Sequence, residues 1–146
     1  MDSSDGITAC LHAIADESQV DLHVDLDPLV PDPVVASAAA SAGIDVRKLM
    51  LSWGDWQLVC TAAPANVAAI RQEMTRVSCP VWEIGWVGDG RGMVWLHDAE
   101  RTAPLNYVAS ERFSPRSYFT HGIAAYAAVL REQPLMRDEE DWSRDE

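Results

Sequence analysis

Residues 1–27 read MDSSDGITACLHAIADESQVDLHVDLD, and two patterns in this stretch decide the fold. Ile7, Cys10, Leu11 and Ile14 recur at helical spacing behind Ser4, a residue type that caps helix N-termini, so a first helix is expected to run to about Glu17. Val20, Leu22, Val24 and Leu26 then alternate with Asp21, His23, Asp25 and Asp27, the period of two of a strand with one wet face.

Downstream, Pro28, Pro31 and Pro33 forbid regular structure until an alanine-rich helix, which Pro33 opens and Gly43 closes. Asp45 caps a further short turn over 46–51. Residues 57–62 read as a buried strand, and Pro64 opens a helix with Val67, Ile70, Met74 and Val77 on one stripe. Residues 81–87 read as a strand with Trp82 and Trp86 on one face. Residues 88–92 form a glycine-rich turn into a returning strand at 93–96. Residues 97–116 show no clear period, and a last helix over about 119–131 carries Ile123, Tyr126, Ala127 and Leu130. The order of elements predicts an α+β fold with helices packed on a mixed β-sheet.

The 146 residues suit one domain, with 1–133 folded and 134–146 an acidic, solvated tail. A net charge of −12 excludes non-specific binding of nucleic acid or anionic membranes, which needs a basic footprint. Cys10, Cys60 and Cys79 are odd in number, lack close spacing and lie among apolar neighbours, so buried reduced thiols in a cytoplasmic protein are expected. The acidic, polar opening gives no signal peptide, and no apolar run approaches the ~20 residues that span a bilayer. His12, His23, His97 and His121 show no metal-ligand spacing and read as surface or capping residues. The turn at 88–92 lacks the lysine and the strand-to-helix context of a phosphate loop. Trp53, Trp56, Trp82, Trp86 and Trp95 crowd the middle of the chain. Most are expected in the core, and an exposed subset would mark an interface or a ring-stacking pocket.

Three separated stretches carry a family resemblance. Asp2-Ser3-Ser4-Asp5-Gly6 with the helix behind it resembles the Asp-x-Ser-Asp-Gly segment that begins the C-terminal half of thiamine-monophosphate kinase. Asp25-Leu26-Asp27-Pro28-Leu29 through Ala42-Gly43-Ile44-Asp45 resembles the segment that follows there. Leu51-Ser52-Trp53-Gly54-Asp55-Trp56-Gln57-Leu58-Val59-Cys60-Thr61 resembles that family's Leu-Ser-Gly-Gly-Glu-Asp-Tyr-Glu-Leu-Leu-Phe-Thr. Pro64 and Ile84-Gly85-Trp86-Val87 continue in register, so the resemblance covers about residues 1–96. The wider superfamily includes aminoimidazole ribonucleotide synthetase, and the expected fold is that of its C-terminal domain.

The resemblance implies half of an ATP-dependent enzyme. An N-terminal ATP-binding domain, in cis or on another chain, would supply most magnesium ligands and the dimer contacts, and homo-oligomerisation follows from it. By position Asp2 and Asp5 match Mg2+ ligands and Ser4 an ATP contact, with Mg2+ and ATP held only in the presence of the other half. Magnesium prefers hard oxygen donors, and a helix N-terminus offers orphan N–H groups to phosphate. Ser4 and Asp5 also make an ordinary cap with an acidic first turn, worth about 1 kcal/mol. Where the kinase motif has Gly-Gly-Glu, this chain is one residue shorter and has Trp53-Gly54, so the substrate-contacting glutamate is missing. Trp53 and Asp55 then stand as pocket residues, with core packing the plain alternative for Trp53. Tyr118 and Phe119 are the candidates for an aromatic near the kinase C-terminus. Beside this transferase reading stand a non-catalytic binding module, using its tryptophan-rich surface on a small ligand or partner chain, and an assembly domain that covers an exposed sheet.

Overall fold

The computed structural model describes residues 1–54, 57–99, 101–112 and 114–138. Helix α1 (Ile7–Ser18) leads into strand β1 (Asp21–Asp25), then α2 (Pro33–Ala42), α3 (Val46–Ser52) and α4 (Pro64–Arg76). Strands β2 (Gly85–Gly88), β3 (Val94–His97) and β4 (Thr102–Pro104) precede α5 (Tyr118–Glu132). The strands form one mixed sheet in the order β2-β1-β3-β4, so the fold is α+β as expected. Leu22 and Val24 of β1 and Val94 and Leu96 of β3 point into a core with Ile7, Leu11, Leu51, Tyr126 and Leu130. The alternate β1 residues His23 and Asp25 lie half-buried on the other face, as the period of two requires. Leu135 and Met136 join the core, and Met136 bridges Leu105; residues 139–146 of the acidic tail, with Trp142, lie outside the described residues. No helix among the described residues is long and apolar enough to cross a membrane.

The caps of α2 and α3 follow the sequence. The carboxylate of Asp32 accepts from Val34 N at 2.7 Å, Gly43 closes α2 at φ 64°, and Asp45 accepts from Arg47 N at 3.0 Å. The start of α1 does not. Gly6, not Ser4, is the N-cap, at φ 90°, and among the described residues no side chain caps the helix. The C-terminal end of α3 lies so close that a Cβ on Gly6 would sit 2.8 Å from the Ser52 carbonyl oxygen and 2.9 Å from that of Leu51. Only glycine takes that approach and that φ without strain, so the helix begins beyond it.

Other expectations are corrected as well. Residues 57–62 are not a buried strand: Leu58 is 80% exposed and makes an isolated bridge with Asp2. Their backbone groups pair with the N-terminal segment instead of the sheet (Val59 N to Met1 O 2.9 Å, Ser3 N to Gln57 O 2.9 Å). The strand at β3 does not return along β2; β1 lies between them, antiparallel to β2 and parallel to β3. The side chain of Asp21 fixes this crossing, accepting from Arg91 N, Met93 N and Trp95 Nε1 at 2.9, 3.0 and 2.9 Å as the turn passes the end of β1. Of the cysteines only Cys10 is buried, while Cys60 and Cys79 are exposed; all three are free thiols. Trp82 and Trp86 are likewise exposed, and no residue of α4 is buried, because its stripe faces a hollow and not the packed core.

Candidate functional site

The N-terminal segment is tied down on both sides. Beside its ladder with residues 57–59, Ser3 Oγ accepts from Gln57 N at 2.9 Å, and the Met1 amino group donates to Val59 O at 2.8 Å. The buried Cys10 thiol donates to the Asp2 carbonyl at 2.8 Å; burial pushes its pKa up, which keeps it in the donor form. The chain therefore presents Asp2, Ser4 and Asp5 from an anchored backbone.

Asp2 and Asp5 are exposed and Ser4 half-buried. Ser4 N donates to Asp2 Oδ1 at 3.2 Å, and hydrogen bonding from the Ser4 side chain, then its amide, holds the Asp2 carboxyl below the usual range. An ionised carboxylate beside the uncapped N-terminus of α1 fits a hard cation and a phosphate in kind. Among the described residues no group of three or more His, Cys, Asp or Glu is placed to hold a metal ion, so these two carboxylates are at most part of a coordination sphere. Asp5 also bears on Tyr107, whose pKa is raised first by burial and then by that charge. Tyr107 lies 6.3 Å from the ring of His12.

Trp53 and Gly54 come against this segment. Gly54 packs on the Ser4 carbonyl with no room for a Cβ, and Gly54 N donates to Glu111 Oε2 at 3.3 Å. Glu111 is 2% exposed, and its other oxygen lies 3.3 Å from Arg112 Nε. The Trp53 ring lies 5.8 Å from Tyr118 and 6.2 Å from Tyr126, while the Arg112 guanidinium lies 5.9 Å from Phe119. Tyr126 is fully buried; its hydroxyl donates to Ala109 O at 2.9 Å and lies 2.7 Å from Ser52 Oγ. Burial pushes its pKa up to about 12, so it stays a neutral donor.

Of the residues singled out in the sequence, the structure thus brings Ser4 and the Trp53-Gly54 turn together, and sets Tyr118 beside Trp53. Asp55 and Trp56 lie outside the described residues. Glu111, Arg112 and Tyr126 were not legible as site residues. Glu111 and Arg112 fall in the patternless stretch 97–116, and Tyr126 reads as one apolar position of α5. A glutamate missing from the Trp53-Gly54 motif and a glutamate buried behind that turn from 57 residues away are visible together only in three dimensions.

Residues 1–97 match the family model described as AIR synthase related protein, C-terminal domain. No curated protein matches the chain.

Proposed function

The chain belongs to the AIR synthase related protein, C-terminal domain family, and on that premise we propose that it is the substrate-side half of an ATP-dependent phosphotransferase or synthetase. Its partner is an N-terminal ATP-binding half, in cis or on another chain. Its ordered motifs resemble those of thiamine-monophosphate kinase, without the glutamate that contacts substrate there.

The observation that carries this reading is the anchored Asp2–Asp5 segment, which holds two exposed carboxylates at the uncapped start of α1. Asp2, kept ionised by Ser4, and Asp5 would hold magnesium, with ligands from the other half completing the sphere. Magnesium, when bound, neutralises and aligns the phosphates of ATP. The first-turn N–H groups of α1 face the same negative charge. Trp53, backed by Tyr118 and Tyr126, closes one side of the second-substrate pocket and keeps water from it.

The purified chain alone is expected to show no ATP turnover. Mixed with the N-terminal half of an AIR synthase related enzyme from the same genome, it should give magnesium-dependent turnover that falls at least about tenfold in Asp2→Asn or Asp5→Asn, the loss of one charged ligand contact. Turnover by the chain alone, or an assembled enzyme indifferent to both substitutions, overturns the reading. A second reading, a non-catalytic binding module, is favoured by Trp82 and Trp86, which are 49% and 56% exposed, Trp86 in the edge strand β2 and Trp82 just ahead of it.

A further inference from the structure

Helix α4 carries Val67, Ile70 and Met74 along one stripe, yet none of its residues is buried. Beneath it lies a hollow of about 520 Å3 lined by Leu11, Ile14, Val59, Val67, Ile70 and Ile84 among others. This chamber meets a second, more polar hollow of about 630 Å3 that includes Asp25, Thr75 and Cys79. Trp82, Trp86, Arg71 and Glu83 line both. Each volume falls in the range of roughly 300–1,000 Å3 typical of small-molecule sites, and the lining has their usual make-up of apolar walls with a few placed polar groups.

We propose that this paired hollow binds an organic cation with a planar aromatic body. Three observations fix the class. The inner chamber is walled by aliphatic side chains from α1, α4 and the approach to β2, and accepts an apolar ring. At the junction, Trp86 stacks one face on His23, with centroids 4.9 Å apart and planes at 4°, and is still 56% exposed; Trp82 beside it is 49% exposed. Aromatic faces carry negative electrostatic potential and attract cations within about 6 Å of the centroid. Finally, Arg71 Nη2 lies 2.8 Å from Glu83 Oε2, so these two charges offset each other and the Asp25 carboxylate sets the sign of the mouth. An anion meets Asp25 and the electron-rich indoles unfavourably; a neutral arene gains only the apolar part of the interaction.

The proposal names a ligand class for the binding-module reading and rests on it. It is independent of the magnesium–ATP reading, because none of Asp2, Ser4, Asp5 or Trp53 lines either hollow. The test is calorimetric titration of the full chain with 1-methylquinolinium and, as a neutral isostere, quinoline at pH 7.5. One equivalent of 1-methylquinolinium is expected to bind, about tenfold more weakly in Trp82→Leu or Trp86→Leu and several-fold more weakly in Asp25→Asn, with quinoline also several-fold weaker than the cation. Trp82 and Trp86 are largely exposed and Asp25 half-buried, and thermal melting of each variant separates lost binding from lost folding. Quinoline binding as tightly as 1-methylquinolinium, with both sensitive to the tryptophans, overturns the cation class and leaves the binding-module reading standing. Failure of 1-methylquinolinium to bind, or an affinity indifferent to Trp82 and Trp86, overturns the proposal.

Discussion

His23 Nδ1 lies 3.0 Å from His97 Nε2, and this contact is the centre of a row that crosses all four strands. Trp86 of β2 stacks on His23 of β1, His97 of β3 sits 4.8 Å from the same indole, and Thr102 Oγ1 of β4 lies 3.0 Å from His97 Nδ1. One imidazole must donate and the other accept, so each ring fixes the tautomer of its partner. A double-mutant cycle of His23→Ala and His97→Ala, read by urea denaturation, should show coupling of about 0.5–1.5 kcal/mol. Additive losses would mean that the row is only proximity.

Glu111 should behave as a buried anchor for the Trp53-Gly54 turn. Both Glu111→Gln and Glu111→Ala remove the carboxylate beside Arg112, but the glutamine keeps an acceptor for Gly54 N, whereas the alanine leaves that amide without its partner. The alanine variant is expected to be less stable than the glutamine variant by about 1–3 kcal/mol in denaturant melts. Equal stability of the two would assign the residue to packing alone.

Gly6 joins α1 to the end of α3 at a φ of 90° with carbonyl oxygens below 3 Å from any added Cβ. Gly6→Ala therefore combines backbone strain with a steric clash and should cost about 2–4 kcal/mol, seen as a drop in urea midpoint. A loss under about 0.5 kcal/mol would show that the α1–α3 junction relaxes freely.

Acid should weaken the fold through His12. Burial, and then the Arg137 charge, lower its pKa, and its buried Nε2 has no hydrogen-bond partner among the described residues. The unfolded chain takes up the proton first, near pH 6.5, while the folded chain resists it. This contribution is therefore fully present above pH 6.5 and is lost as pH falls from there toward and through the depressed folded value. Urea midpoints from pH 8 to pH 5 should fall more steeply for the native chain than for His12→Asn. Parallel profiles would remove His12 from the account.

Much of the local structure was legible in the sequence because its causes are local. Pro33 and Gly43 bracket α2, Asp45 caps α3, and the alternation through β1 places Leu22 and Val24 inward. The strand expected at 57–62 failed for a long-range reason: an apolar run becomes a buried strand only if a sheet edge receives it, and here the N-terminal segment takes its backbone groups. The hairpin expected at 88–92 failed likewise, since a glycine-rich turn fixes a reversal but not which strand lies alongside, and Asp21 draws the turn around β1.

The sequence by itself determined the α+β class, the amphipathic elements and the Asp2–Asp5 motif with its family resemblance, because periodicity, caps and motif spacing act over a few residues. Only the tertiary structure decided that Glu111 lies behind Gly54, that Ser4 backs onto the same turn, and that α4 stands over a hollow between two exposed tryptophans. Those relations depend on how elements tens of residues apart compete for the same faces and backbone partners, and no local pattern carries the outcome of that competition.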